Sequence, residues 1–163
     1  MKITINPYDP KSITAAVNQL KQYRKEFLAK EELFVKRLAE IGVSVASAGF
    51  ATADYDGIKD VVVTLEHQGN RAAVVASGET VGFIEFGTGV RFSEWNNTGM
   101  EFTPPKHGTY GKGFGARPKG WYFTVGEGGA AQHTYGNQPA EAMRTARDVM
   151  IEKVIQIARE VWR

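Results

Sequence analysis

The chain contains no cysteine, which excludes disulfide bonds, thiolate metal sites and cysteine nucleophiles. Its stability must therefore come from packing. It also lacks a run of about 18 apolar residues and the pattern of a secretory signal peptide, so we expect a soluble protein of the cell interior. The formal net charge is only +2 and the pI is near 8.8, too mild a basic balance to predict nucleic-acid binding by itself.

Length and hydrophobic content are sufficient for one core. A chain of 163 residues with 42% hydrophobic residues can fold as a single domain, 1–163, that buries roughly 70% of its unfolded surface.

The first half of the chain predicts one long helix followed by strands. Apolar residues recur every seven positions between Ser12, a candidate N-cap, and Ile41, and Gly42 is a candidate C-terminal stop. The seam consists of Ile13, Leu20, Phe27, Phe34 and Ile41. The stretch 43–50 predicts either a weak strand or a continuation of the helix.

Alternating apolar residues then predict a meander of three antiparallel strands. A hairpin is expected from Val61–Leu65 and Arg71–Ala76 around a turn at Gln68–Asn70. The third strand is predicted at Val81–Phe86, where Glu85 interrupts an apolar face. Trp121–Val125 is a fourth strand by its aromatic and β-branched content, and we expect it to pair beside the third.

Fourteen of the 18 glycines lie between Gly78 and Gly136, and they predict a long functional loop over about residues 88–120. A last helix follows, with Asn137 or Gln138 at its cap and Pro139 in its first turn. Its predicted buried seam comprises Met143, Ala146, Met150, Val154, Ile157 and Val161. The predicted fold class is α+β, with an antiparallel sheet of about four strands packed against two long helices.

Catalytic and cofactor patterns are weak. The three histidines, His67, His107 and His133, have no metal-ligand spacing, and no Gly-x-Ser-x-Gly string is present. Gly111–Ala116 is similar to a phosphate loop, but Pro118 and Gly120 disfavour the helix that such a loop requires. We expect no enzyme, metal or cofactor; the alternative is a small hydrolase that uses His133 or His107.

Basic residues are interleaved with aromatic ones in the glycine-rich segment. Its cations, with no acid between Pro104 and Gly120, are Lys106, Lys112, Arg117 and Lys119. Such a loop can contact DNA, as in a nucleic-acid-binding module, or dock on an acidic partner surface. Both alternatives stay open.

Three further residues are candidate assembly contacts. Trp121 adjoins the basic loop, and Trp162 lies beside Arg163 at the end of the chain; tryptophan and arginine are enriched at binding hot spots. Glu85 is either an anchor that pairs with a neighbouring subunit or with a base such as Arg91 or Arg117, or a residue that faces solvent at the end of the sheet.

Four strings in fixed order carry a resemblance that covers essentially the whole chain. They are Asn6-Pro-Tyr-Asp-Pro-Lys-Ser12, Ile84-Glu-Phe-Gly-Thr-Gly89, Tyr110-Gly-Lys-Gly113 with Gly120-Trp-Tyr122, and Thr134-Tyr-Gly-Asn-Gln-Pro139. The ordered set resembles the tail-completion, or head-to-tail joining, proteins of long-tailed double-stranded-DNA bacteriophages, which are often encoded by prophages. The family's Thr-His-Gly is replaced here by His133-Thr-Tyr-Gly136, so no role for a histidine is carried over.

The resemblance implies a structural virion protein at the head–tail junction. It implies a homo-oligomeric ring, commonly six-fold, that meets other connector and tail proteins and surrounds the path of the DNA. The expected location is the virion, and the host cytoplasm before assembly.

Overall fold

A computed structural model describes residues 3–88, 120–124, 126, 128–134, 136–137 and 139–163 of the chain. The fold is α+β, as predicted: a long N-terminal helix, a C-terminal helix and small antiparallel sheets. The elements in chain order are α1 (Pro10–Thr52), β1 (Val62–Gln68), β2 (Arg71–Ser77), α2 (Val81–Phe86), β3 (Trp121–Thr124), β4 (Ala131–Thr134) and α3 (Ala142–Val161). In the part of the chain that the structure describes, the four strands form two two-stranded sheets instead of one sheet.

The helix α1 is longer than predicted at both ends. Asp9 caps it by accepting a hydrogen bond from the Lys11 backbone N–H at 3.0 Å, and Pro10 occupies the first turn. The predicted cap, Ser12, instead accepts a hydrogen bond from the Asn6 N–H at 2.8 Å. The helix continues through 43–50, which confirms the second of the two alternatives for that stretch.

Gly42 does not end α1, because it lies inside the helix at its contact with α3 and β2. A Cβ at this position would lie 2.6 Å from Met150 Sδ and 2.8 Å from Val74 Cγ2. The buried Gly42 thus permits α3 and β2 to pack closely against α1.

The hairpin of β1 and β2 confirms the predicted first two strands. Their antiparallel register places Leu65 opposite Val74, and Gly69 adopts a φ of 58° in the turn. Alternate side chains of β1 are half-buried, which is the pattern of a sheet with one face on a core.

The predicted third strand is wrong, because Val81–Phe86 forms the short helix α2. Over six residues, alternation and helical spacing are difficult to distinguish: Val81, Ile84 and Glu85 also satisfy the i, i+3, i+4 pattern of one helix face. Ile84 and Glu85 are buried on that face.

Trp121–Thr124 is a strand, as predicted, but its partner is different. It pairs with β4, with Trp121 opposite Thr134, and not with Val81–Phe86, which is helical. Four residues with little apolar character gave no strand signal for β4.

The last helix starts later than predicted, at Ala142, and its N-cap position is Glu141 with a left-handed φ of 48°. The predicted seam holds in part: Ala146, Ile157 and Val161 are buried, whereas Val154 is 37% exposed. α3 runs antiparallel to α1, with Ala142 near Gly49 and Trp162 near Phe34. The central core cluster consists of Ala46, Phe50, Ile84, Ala142 and Ala146.

Candidate functional site

Glu85 is a buried carboxylate at the N-terminus of α3. It is 5% exposed, and its two oxygens accept backbone hydrogen bonds from Met143 N–H at 3.0 Å and Arg144 N–H at 3.2 Å. The cap residue of α3, Glu141, makes no side-chain capping bond. Glu85 therefore supplies the cap from α2, and its charge faces the positive end of the helix dipole.

The environment of Glu85 shifts its acidity. Burial raises the pKa of the Glu85 carboxyl above its ordinary value, and the backbone N–H groups of Met143, Arg144 and Ala142 oppose that rise. The nearby carboxylate of Glu141 raises the pKa further. Glu141 itself pairs with Arg144 at 3.2 Å.

These contacts correct the predicted environment of Glu85. The residue lies on a helix and not on a strand, and it is buried and not exposed to solvent. Within the described residues its carboxylate is bound to α3 of the same chain, so the folded chain does not present it at the surface to a neighbouring subunit. Its suggested partners Arg91 and Arg117 lie outside those residues.

The segment after α2 is held by Asn137. Thr88 donates its backbone N–H to the Asn137 carbonyl at 3.0 Å, and its hydroxyl donates to Asn137 Oδ1 at 2.5 Å. The Asn137 side-chain amide donates to the Phe83 carbonyl at 3.1 Å. Both Thr88 and Asn137 are buried, so the bonds are shielded from water.

The other end of the glycine-rich segment, Gly120, lies against Thr134, three residues before Asn137 in the chain. Gly120 has a left-handed φ of 69°, and a Cβ there would lie 2.1 Å from the Thr134 carbonyl oxygen. Thr134 in turn donates its hydroxyl to Asp56 Oδ2 at 2.6 Å. Thr88 and Gly120 thus lie against one short strip of chain, 134–137, so the glycine-rich segment leaves and returns at the same place.

We refer to this arrangement as the anchor; its members are Glu85, Gly87, Thr88, Gly120, Thr134 and Asn137. Gly87 belongs to it because its φ is 68° and a Cβ would lie 2.8 Å from the Asn137 carbonyl oxygen. Glu85 and Gly120 were named from the sequence, whereas the pairing of Thr88 with Asn137 was not predicted. A buried pairing between polar residues 49 positions apart leaves no local signal.

The remaining predicted site residues have different fates. The four basic residues, Lys106, Lys112, Arg117 and Lys119, lie outside the described residues. Trp121 is half-buried in β3. Trp162 is 38% exposed at the end of α3, with its ring centroid 5.1 Å from that of Phe34 and 6.3 Å from that of Phe27.

A second feature is the first half of α1, where six large apolar side chains remain exposed. We call them the apolar stripe: Ile13, Val17, Leu20, Tyr23, Phe27 and Leu28, each between 44% and 52% exposed. At 100° per residue they occupy about 140° of the helix circumference, one continuous face. The heptad seam was correctly predicted as helical, but its first three positions do not join the core.

The histidines and acids of the described residues were compared with the arrangements that metal binding or hydrolysis would need. Among them, no group of three or more His, Asp or Glu side chains is placed to hold a metal ion. His133 is exposed on β4, its ring 4.9 Å from that of Tyr122, and His67 lines an open groove with Nε2 3.9 Å from a Glu32 oxygen. His107, the other histidine of the hydrolase alternative, lies outside those residues.

No protein-family model, curated protein or solved structure matches this chain. Within the described ranges, no helix has the length and apolar character needed to cross a membrane.

Proposed function

We propose that this protein is a non-enzymatic structural component of the head–tail junction of a long-tailed double-stranded-DNA phage. In this proposal it forms a homo-oligomeric ring in the virion, six-fold as is common in the family it resembles, after synthesis in the host cytoplasm. The ordered sequence strings supply the family expectation, and two structural features support it.

The exposed apolar stripe carries the proposal. Monomeric soluble proteins rarely leave a large contiguous apolar patch in water, and such patches mark interaction surfaces. Here the patch extends over 16 residues of a regular helix, from Ile13 to Leu28, and therefore over about 24 Å. A rigid apolar face of that length fits a subunit interface better than a small-molecule site.

The anchor supports a second contact surface. It holds both ends of a glycine-rich segment on buried, hydrogen-bonded structure, so the segment has a fixed base from which it can reach a partner. The four basic residues of that segment would face an adjoining connector or tail ring, or DNA in the channel. Either partner, the adjoining ring or the DNA, would present an anionic surface to these basic residues.

Light scattering over a concentration series tests the proposal. We expect a defined oligomer whose closed ring is visible by negative-stain electron microscopy, or a monomer that assembles only when a purified connector or tail ring is added. A monomer at every concentration that binds neither ring would contradict the proposal.

Neutralising the basic loop distinguishes binding to DNA from binding to a partner ring. A variant with Lys106, Lys112, Arg117 and Lys119 all changed to glutamine should keep the wild-type oligomer. If the loop meets DNA, the wild-type affinity for a DNA duplex should fall steeply with salt and the variant should lose that dependence. If it meets protein, only binding to the partner ring should weaken.

A further inference from the structure

The region that follows α1 is opposite in character to the apolar stripe. It contains four exposed acids, Asp54, Asp56, Asp60 and Glu79, and one cation, Lys59. Two apolar side chains of the same region are also exposed, Ile58 at 56% and Val62 at 58%. We call this region, residues 54–62 with Glu79, the acidic corner.

Hydrogen bonds hold two acids of the corner, Asp60 and Asp56, in place; Asp56 accepts one from the Thr134 hydroxyl. The Asp60 carboxylate accepts bonds from the Glu79 N–H, the Thr80 N–H and the Thr80 hydroxyl, and these bonds lower the pKa of Asp60. Burial, and then the charges of Asp60 and Asp56, raise the pKa of the Tyr55 hydroxyl. The corner is therefore a negative surface of defined shape around two exposed apolar side chains.

The apolar stripe is flanked by charges of the other sign. Residues 11–30 contain five cations, Lys11, Lys21, Arg24, Lys25 and Lys30, and one acid, Glu26, which gives a local charge of +4. On the helical wheel Arg24 lies within the stripe, and Lys21 and Lys30 border it. The acidic corner, with its four acids and Lys59, carries −3.

The stripe and the corner cannot meet within one chain. They lie toward opposite ends of a 43-residue helix, and from Leu20 to Thr52 the helical rise amounts to about 48 Å. Their complementary charge and exposed apolar residues are available only to another molecule.

We infer that the apolar stripe of one copy docks on the acidic corner of the next copy; this inference rests on the proposed ring. This contact is heterologous, and repetition of a heterologous contact around a closing rotation generates a ring. The alternative of two stripes packed against each other would juxtapose two surfaces of +4, and like-charge juxtaposition is costly. The charge pattern thus favours a head-to-tail contact.

Site-directed cross-linking tests the contact, and the cysteine-free chain needs no background mutations. Leu20→Cys and Ile58→Cys place one thiol on each surface, at positions that are about half exposed. With a short bismaleimide cross-linker, the L20C/I58C chain should give covalent trimers and larger multimers. The two single-cysteine variants are the controls and should stay monomeric on a denaturing gel.

The outcomes separate this inference from the proposed function. A dimer from L20C alone would establish stripe-to-stripe packing and overturn the inference while the ring proposal survives. If light scattering shows that wild type oligomerises but L20C/I58C gives no cross-links, the inference is likewise overturned while the ring proposal survives. Wild type that neither oligomerises nor binds a partner ring would contradict both.

Charge reversal provides a readout that does not depend on a cross-linker. K21E/R24E on the stripe, or D54K/E79K on the corner, should each raise the protein concentration of half-assembly at least about tenfold. The chain that carries all four changes should recover assembly, because an acidic stripe then meets a basic corner. Failure of this recovery while both double variants stay folded, or a corner variant that loses thermal stability without altered assembly, would overturn the inference.

Discussion

The two halves of α1 have similar sequence periodicity but different surroundings. From Phe34 to Phe50 the helix packs against α3 and the β1–β2 hairpin, and Ala39, Gly42, Ala46 and Phe50 are buried. From Ile13 to Leu28 the large apolar residues stay about half exposed. α3 ends beside Phe27, where Trp162 contacts it.

The difference lies in residue size at the seam. The packed half places glycine and alanine where another helix approaches, as at Gly42 near Met150 and Gly49 near Ala142. The exposed half carries larger side chains bordered by lysine and arginine, which suits a docking face that must stay soluble before assembly. Helical periodicity therefore specifies a face to be covered, whereas side-chain size and charge indicate what covers it.

The largest expected effect comes from truncating an apolar residue in each half. Phe50→Ala should lower the free energy of unfolding by about 4 kcal/mol, because it leaves a cavity in the core cluster. Leu20→Ala should cost less than about 1 kcal/mol, because its side chain is already half in water. Urea denaturation of dilute protein measures both; similar losses would mean that the halves are equally packed.

The next effect concerns the anchor beside the packed half. Gly120→Ala should cost about 3 kcal/mol, since its left-handed φ and its approach to the Thr134 carbonyl both oppose a Cβ. The matched control is Gly126→Ala, with φ 77° but nothing within 4 Å of its Cβ, which should cost about 1 kcal/mol. Equal shifts in thermal midpoint would show that the close approach does not matter.

Removal of the Glu85 cap should have a somewhat smaller effect. Glu85→Ala leaves two N–H groups at the start of α3 without their acceptor and should cost about 2 kcal/mol. Glu66→Ala, at an exposed position of β1, serves as the control and should change stability by less than about 0.5 kcal/mol. A Glu85→Ala variant as stable as this control would contradict the capping role.

The smallest effect is a pH dependence. Because burial raises the pKa of Glu85, the folded chain holds this proton more tightly than the unfolded chain. The resulting stabilisation is complete below the unfolded pKa of about 4.5 and is lost as pH rises through the folded pKa. The stability of wild type relative to Glu85→Gln should therefore decline across that window. An increase in this relative stability with rising pH would contradict the sign.

Contacts between residues far apart in the sequence limit what could be predicted from it. The two long helices α1 and α3, the β1–β2 hairpin and Trp121–Thr124 follow from local periodicity and composition, and they were predicted. The helical state of Val81–Phe86 is favoured by burial of Ile84 and by the bonds from Met143 and Arg144 to Glu85, which are supplied by residues nearly 60 positions away. The Thr88–Asn137 pair is likewise set by tertiary packing, so no local pattern announces it.

Hydrogen exchange of the two halves of α1, followed from dilute to concentrated protein, tests the central claim most directly. We expect backbone amides in residues 39–50 to be protected at every concentration, because they are packed within the monomer. Amides in residues 13–28 should exchange faster in dilute protein and slow down as light scattering records assembly. Exchange of 13–28 that does not change with concentration would contradict the claim that the exposed half of α1 is a subunit interface.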